Sequence, residues 1–271
     1  MRTLEAQPGW RLIDFGEVWK YRELLYFMTW RDIKVRYKQT VLGAAWAILQ
    51  PLATMLAFSL FFGRLAANPA SGVPYPLFVL TGLLPWTFFA NAMSSASQSV
   101  VGNQGLVTKV YFPRLIIPMG AVAAGLVDFA IALGLLMLTM AYYRFAPGAA
   151  IVWAPVLILC LITIAFGAGT LLAALTVEYR DFRHIIPFML QIWMFATPAI
   201  YLQEDSTTGS RLGMLTALNP LNRLISGFRA AMLGGHIDPL SQVPSLLWGL
   251  AALIAGSFYF RRVERRFADI I

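Results

Sequence analysis

The chain has 271 residues, of which 59% are hydrophobic and only 13% are charged, and its mean hydropathy is +0.67. A soluble domain carries about 25% charged residues, so this composition excludes most classes of soluble enzyme. The net charge is +8, but the basic residues flank apolar stretches, which favours contact with membrane lipids over nucleic acid binding. We therefore expect one membrane-embedded domain over residues 1–271, with no nucleic acid partner.

Six apolar stretches predict six transmembrane helices, because a span needs roughly 20 mostly apolar residues. The stretches cover residues 42–62, 75–101, 115–143, 151–177, 185–201 and 243–260. With six spans, 16 of the 21 Lys and Arg residues fall on one side of the membrane and 5 on the other. Positive residues concentrate on the cytoplasmic side. The prediction is an all-α, multi-pass protein with both termini in the cytoplasm.

Residues 18–41 precede the first span and predict an amphipathic helix in the cytoplasmic interface. Its apolar positions recur every three or four residues: Tyr26, Trp30, Ile33, Tyr37 and Val41. A neighbouring face is basic, with Arg31, Lys34 and Lys38. Two interpretations stay open at this point: a juxtamembrane anchor, or a lever that also touches a cytosolic partner.

Residues 102–114 form a short cytoplasmic connection with unusually apolar side chains. We expect these to be exposed: Leu106, Val107, Val110, Tyr111 and Phe112. Because water disfavours such a surface, the segment predicts a short helix that docks into a groove of a partner. Packing against the protein's own spans is the alternative.

Two further connections are distinctive. The turn at 178–184 has mixed charges, which can pair with one another and cap helices, and which could also form a gate. Residues 202–242, on the opposite side, contain apolar pieces too short to span, which predicts short re-entrant helices covered by protein.

Asp128 is the one acidic residue deep inside an apolar stretch. An intramembrane carboxylate indicates function by default, and a proton relay is conceivable. The spans offer no nearby basic or second acidic residue, so we favour a hydrogen bond between helices.

Several motifs, taken in order along nearly the whole chain, resemble the ABC-2 family of transporter permeases, in the branch that exports polysaccharides. They are residues 30–38 (WRDIKVRYK), Leu42-Gly43, Trp46, residues 50–52 (QPL), 109–114 (KVYFPR), 179–181 (YRD), Gln191, Trp193, Thr197-Pro198, residues 219–221 (NPL) and 264–268 (ERRFA). Each motif is weak alone, but their combination is specific.

The resemblance implies a homodimer in the bacterial inner membrane, with a channel for a lipid-linked glycan between the two copies. Two copies of a separate ATP-binding subunit would hold ATP and Mg²⁺, with no cofactor in this chain. Coupling to that subunit would involve Arg31, Lys34, Lys38, Lys109, Tyr111, Phe112 and Arg114. A cytoplasmic gate would involve Glu178, Tyr179, Arg180 and Asp181.

The lysine positions independently support the assignment of ATP binding to a separate subunit. The four lysines follow Trp19, Ile33, Tyr37 and Thr108, so the sequence contains no Gly-Lys pair. A phosphate-binding GxxxxGK[ST] loop therefore cannot form, and any ATP that drives transport is hydrolysed by another chain.

Aromatic side chains offer flat, rigid surfaces to the apolar faces of sugar rings. The predicted second and fifth spans contain six such candidates for a channel lining: Trp86, Phe88, Phe89, Trp193, Phe195 and Tyr201. The competing interpretation is that they are interfacial anchors or face lipid.

Three other functions stay open from the sequence. Export of a drug or small lipid fits the same family. An ion-coupled carrier would need paired intramembrane charges or inverted repeats, and neither is visible. A membrane-embedded enzyme would need converging acids, metal ligands or an activated nucleophile, and none converges.

Overall fold

The computed structural model describes residues 15–38, 43, 45–62, 72–197, 219–264 and 266–267. These residues form ten α-helices and one 3-10 turn, and they contain no strand, which confirms the all-α class. The helices are α1 (Phe15–Lys20), α2 (Arg22–Lys38), α3 (Ala45–Phe62), α4 (Tyr75–Gly102), α5 (Gln104–Lys109), α6 (Ile116–Tyr142), α7 (Ala154–Glu178), α8 (Phe182–Phe195), α9 (Pro220–Leu233) and α10 (Pro239–Glu264). The 3-10 turn Ala149–Trp153 leads into α7.

Five helices of the described residues are long and apolar enough to cross a membrane: α3, α4, α6, α7 with its 3-10 turn, and α10. They correspond to the predicted first, second, third, fourth and sixth spans. The predicted fifth span, 185–201, is not a single long helix. Its helix α8 has 14 residues and a length of about 21 Å, whereas the hydrocarbon core is about 30 Å thick. Residues 198–201 lie outside the described part, so a sixth span stays a prediction.

Helix α4 lies at the centre of the bundle, and α3 lies at its edge. Of the most apolar 18-residue stretch of each helix, 72% is buried in α4 but only 6% in α3. Helix α4 packs against α6, α7 and α9, and α7 packs closely against α10. The outer face of α3 is therefore left for lipid or for another protein chain.

The contact between α7 and α10 depends on glycine. A Cβ atom on Gly256 would lie 2.2 Å from the carbonyl oxygen of Gly167, and a Cβ on Gly167 would lie 2.4 Å from the backbone nitrogen of Leu253. The two backbones touch, which is how small residues allow helices to pack closely in membranes.

Helix α9 is a short helix with well-defined ends. The Asn219 side chain accepts a hydrogen bond from the backbone N–H of Leu221 at 3.1 Å, and Pro220 occupies the first turn, where a missing N–H costs nothing. The helix ends at Gly234, whose φ of +77° favours glycine. Leu221, Ile225 and Phe228 are fully buried in the bundle core. The predicted re-entrant segment 202–242 includes α9, while residues 202–218 lie outside the described part, and its placement in the membrane stays a prediction.

Candidate translocation site and coupling surface

Helix α2 runs lengthwise along the first half of α6. The Cβ of Met28 lies opposite Gly120, where an added Cβ would approach it to 3.4 Å. Eight residues further along each helix, Arg36 bonds to Asp128. Equal steps on both helices mean that they run in the same direction. A helix lying flat in the interface was expected, but α2 instead follows the direction of a membrane-spanning helix.

The face of α2 that packs against the bundle lies beside the apolar face that the sequence pattern predicts. Its buried and half-buried residues Tyr21, Leu25 and Met28 join an apolar cluster with Val107 of α5 and Phe260 of α10, the α5–α10 cluster. Tyr26 and Trp30 of the predicted apolar face are exposed and stack on each other with ring centroids 6.5 Å apart, and contact of this face with the membrane interface stays a prediction. The sequence pattern therefore identified the outer aromatic face of α2, and the packing face lies beside it.

Asp128 makes the hydrogen bond between helices that the sequence favoured, and its partners come from the end of α2. The Nη1 atom of Arg36 donates to its Oδ2, and the hydroxyl of Tyr37 donates to its Oδ1. Burial and the bond to Asp128 raise the pKa of Tyr37 to about 12, so its hydroxyl stays protonated and continues to donate. The predicted spans contain no basic partner for Asp128, and the partner instead comes from α2, because Arg36 lies outside the spans in sequence but beside α6 in space.

The Arg36–Asp128 ion pair forms part of the wall of a cavity of about 330 Å³ between α2, α3, α4 and α6. Helix α3 contributes Trp46, Gln50 and Thr54, and α4 contributes Thr87, Phe88 and Asn91. A second, more open groove of about 550 Å³ lies towards the end of α4 and the start of α6. Arg36 lies in the wall of both, so it separates the cavity from the groove.

A stripe of polar residues on α4 lines both spaces. Its members follow at steps of four, four and three residues: Thr87, Asn91, Ser95 and Gln98. This spacing places them on one side of the helix, while Phe89, Met93 and Ala96 on other sides are buried in the core. The sequence prediction did not include this stripe. Its signal was available, because polar residues with helical period inside an apolar span are costly unless they face protein or water.

Three of the six predicted channel residues are buried inside the protomer. Trp86, Phe88 and Phe89 are at most 4% exposed. Trp193 of α8 packs on this cluster, with its ring centroid 5.3 Å from that of Phe89 and 6.4 Å from that of Trp86. These rings thus hold α8 against α4.

The remaining channel candidates differ in their placement. Phe88 also borders the cavity, and Phe195 at the end of α8 is 67% exposed. Tyr201 lies outside the described residues. A channel-lining role stays a prediction for all six.

The predicted coupling segment is half buried. Tyr111 is 77% exposed, and Lys109 beside it is also exposed. Val107 and Phe112, which were expected to be exposed, are buried in the α5–α10 cluster with Met28 of α2 and Phe260 of α10. One side of the segment therefore packs against the protein's own helices, and docking of its exposed side to a partner stays a prediction.

Arg114 has a structural role in addition to any coupling role. Its backbone N–H donates to Oε1 of Glu264 at 3.2 Å, and its guanidinium donates to the Glu264 carbonyl. The same guanidinium lies 5.8 Å from the ring centroid of Phe267. Arg114 therefore ties the start of α6 to the end of α10.

The basic residues of α2 that were assigned to coupling are exposed. Arg31 bonds to Asp32 at 2.8 Å, and the ammonium group of Lys34 lies 5.6 Å from the ring centroid of Trp30. Lys38 ends the helix. Only the first half of α2 lies at the end of the bundle that holds the 102–114 segment, since Met28 packs in the same apolar cluster as Val107. Lys34 and Lys38 lie further along α2, near Arg36 and its bond to Asp128.

The predicted gate residues do not pair with one another as expected. Within the described residues, no ion pair joins Glu178, Arg180 or Asp181 to a neighbour, and the Asp181 side chain makes no capping bond at the start of α8. Glu178 instead accepts a hydrogen bond from the hydroxyl of Tyr259 on α10 at 2.6 Å. Tyr179, Arg180 and Asp181 are exposed. The turn is therefore fixed at Glu178 and free at its tip.

Comparison with known proteins agrees with this architecture. Residues 23–233 match the family described as "ABC-2 type transporter". The chain is 31% identical over 260 residues to the O-antigen export system permease protein RfbA of Myxococcus xanthus, covering 94% of this chain and 98% of that protein. It is 25% identical over 252 residues to RfbA of Klebsiella pneumoniae, covering 92% and 95%. It is 22% identical over 241 residues to the polysialic acid transport protein KpsM of Escherichia coli, covering 86% and 91%. The chain, with five candidate spans among its described residues, belongs to the ABC-2 type transporter permease family.

Proposed function

We propose that this chain is the channel-forming subunit of an ATP-driven exporter that moves a lipid-linked polysaccharide across the bacterial inner membrane. The observation that carries the proposal is the polar stripe on α4. A glycan needs hydroxyl-compatible surfaces through the hydrocarbon core, and this stripe extends from near the cytoplasmic end of α4 to Thr87. From Gln98 to Thr87 is 11 residues, or about 17 Å along the helix. Similarity over nearly the full length to permeases named for O-antigen export and polysialic acid transport supports the glycan substrate.

The complete exporter is a homodimer of this chain with two copies of an ATP-binding subunit, which holds ATP and Mg²⁺. The exposed sides of α2 and of the 102–114 segment receive that subunit, and both termini face the cytoplasm with it. The gate residues Tyr179, Arg180 and Asp181 lie on an exposed turn and are free to move when the subunit does. The chain itself supplies the path and the coupling surface and catalyses no reaction.

The proposal is tested by deleting the gene in its native host and measuring glycan on the cell surface and inside the cell. We expect surface glycan to fall and lipid-linked glycan to accumulate on the cytoplasmic side, with recovery when the full chain is supplied. An unchanged amount of surface glycan in the deletion strain contradicts the proposal. Mild-detergent purification of the tagged chain should also recover a nucleotide-binding subunit in equal amount.

One observation favours a second candidate, an ion-coupled carrier: the Arg36–Asp128 pair is a paired charge beside a membrane span. The two candidates differ in their energy source. A partner subunit that binds but cannot hydrolyse ATP should stop export under the first proposal. Export that continues with that subunit, but stops when the proton gradient is collapsed at constant ATP, would establish the carrier instead.

A further inference from the structure

We propose that the cavity between α2, α3, α4 and α6 is a binding site for one or two uncharged sugar residues. This inference rests on the proposed function, which supplies the source of the sugar. The chemical class of the ligand is argued from the residues that line the cavity. The cavity volume of about 330 Å³ lies at the small end of the range for ligand sites, roughly 300–1,000 Å³. That size suits one or two rings and not a longer folded segment.

The charge of the cavity wall favours a neutral ligand. Among the described residues that line it, only Arg36 and Asp128 carry charge, and they bond directly to each other. An anionic ligand would have to displace the carboxylate of Asp128, and a cation would have to displace the guanidinium of Arg36. Both displacements leave a charge unpaired in a partly buried site, which is costly. A polyhydroxylated neutral molecule requires neither.

The uncharged polar groups of the wall match sugar hydroxyls. Gln50 and Asn91 present exposed side-chain amides from two different helices, and each amide can both donate and accept. The hydroxyl of Thr87 donates to the Leu84 carbonyl at 3.0 Å, which leaves its oxygen able to accept from a ligand. Hydroxyl groups need donors and acceptors mixed in this way, whereas a lipid acyl chain would leave these amides unsatisfied.

Aromatic rings complete the match. Trp46 of α3 is 54% exposed, so its indole face is free, and Phe88 of α4 borders the same space. A ring face can pack on the apolar C–H face of a sugar, while the neighbouring amides bond to its hydroxyl groups. Thr87 and Asn91 of the cavity and Ser95 and Gln98 of the groove belong to the same α4 stripe, and Arg36 lies between the two spaces. A glycan that follows the stripe therefore comes close to the cavity.

The test is ligand-observed saturation-transfer NMR on the full chain in lipid nanodiscs, copurified with its ATP-binding subunit where one is recovered. Maltoside detergents are removed completely, because their headgroup is itself a disaccharide. The probes are methyl α-D-glucopyranoside, methyl α-D-mannopyranoside, methyl β-D-galactopyranoside and N-acetylglucosamine, with inorganic phosphate as the anionic probe. We expect transfer to the ring protons of at least one sugar.

Variants locate the binding. Gln50→Leu and Asn91→Leu should each weaken sugar binding at least tenfold, and Trp46→Ala should reduce saturation of the ring protons, while Trp46→Phe retains it. Gln104→Leu is the matched control, because Gln104 has an exposed amide on α5, outside the cavity. Size-exclusion profiles and circular dichroism confirm that each variant is folded.

Absence of saturation transfer from every sugar probe overturns the proposal, as does equal binding by the Gln50, Asn91 and Gln104 variants. Phosphate that binds and displaces the sugars also overturns it, in favour of an anion site. The outcome is separable from the proposed function, because the deletion strain tests export without reference to the cavity. Loss of export together with no sugar binding would reject this site alone, whereas sugar binding with unchanged export would reject the transport proposal alone.

Discussion

At the scale of single residues, the bond between Arg36 and Asp128 joins the interface helix to the bundle. A carboxylate inside a span is costly unless a partner satisfies it, so Asp128 was predictable as a contact residue. Its partner was not, because Arg36 is 92 residues away in sequence and is one of eight basic residues before the first span. The orientation of the chain in the membrane accounts for all eight basic residues, so the sequence does not show which of them bonds to Asp128.

The Arg36–Asp128 pair predicts a specific stability effect. Asp128→Asn removes the charge that pairs with Arg36 and should lower the free energy of unfolding by about 1–3 kcal/mol, since the hydrogen bonds are to charged groups and the site is partly exposed. Arg36→Asp should have a similar or larger effect. The exchanged double variant, Arg36→Asp with Asp128→Arg, should recover part of the loss because it restores opposite charges.

Thermal or denaturant unfolding in nanodiscs measures all three variants. Asp238→Asn is the control, since Asp238 is exposed and its Oδ1 accepts from the backbone N–H of Leu240, a bond that Asn can keep. Equal destabilisation by the single variants and the exchanged double variant, with no recovery, would contradict a direct ion pair.

At the scale of the helices, hydropathy predicts where spans occur better than it predicts which side of each span faces the bundle. The ends of α4, α6 and α7 lie within a few residues of the predicted ones, because a long apolar run has no other stable state in lipid. The orientation of the aromatic rings could not be predicted. By residue type, Trp86 and Phe89 suit a channel, lipid or a protein core equally well. In the structure both rings pack against Trp193 of α8, which is distant in sequence.

The half-buried coupling segment predicts that two adjacent aromatic residues have different roles. Tyr111→Ala should weaken association with the ATP-binding subunit and reduce export at least tenfold, while leaving thermal stability nearly unchanged, because its ring is exposed. Phe112→Ala should lower the free energy of unfolding by about 3–5 kcal/mol, because it leaves a cavity in the α5–α10 cluster.

Three measurements separate these effects: unfolding of the permease, copurification of the ATP-binding subunit, and surface glycan in the complemented deletion strain. Tyr142→Ala is the control, because Tyr142 is an exposed tyrosine at the far end of α6, away from the 102–114 segment. If Tyr111→Ala destabilises the chain as much as Phe112→Ala, the exposed side of the segment is not a docking surface.

At the scale of the whole molecule, a single chain leaves polar side chains exposed along the edge formed by α3 and α4. Gln50 on α3 and Asn91 and Gln98 on α4 are exposed, and lipid tails cannot satisfy them. The outer faces of α7 and α10 are different, since Leu159 and Ile254 there suit lipid. Sequence alone could not make this distinction, because it depends on which side of each span the bundle covers.

This asymmetry predicts that a second copy and the channel lie along the α3–α4 edge. Phe61 is 72% exposed and lies seven and eleven residues from Thr54 and Gln50, on the same side of α3. In a Cys160→Ser background, which removes the single cysteine, Phe61→Cys should crosslink two protomers efficiently with a membrane-permeable bis-maleimide. Leu159→Cys, 65% exposed on α7, should give little dimer because it faces lipid.

Denaturing electrophoresis after crosslinking in native membranes measures the dimer formed by both variants. More dimer from Leu159→Cys than from Phe61→Cys would place the partner on the α7 side, and the α4 stripe would then face away from the channel between the two copies.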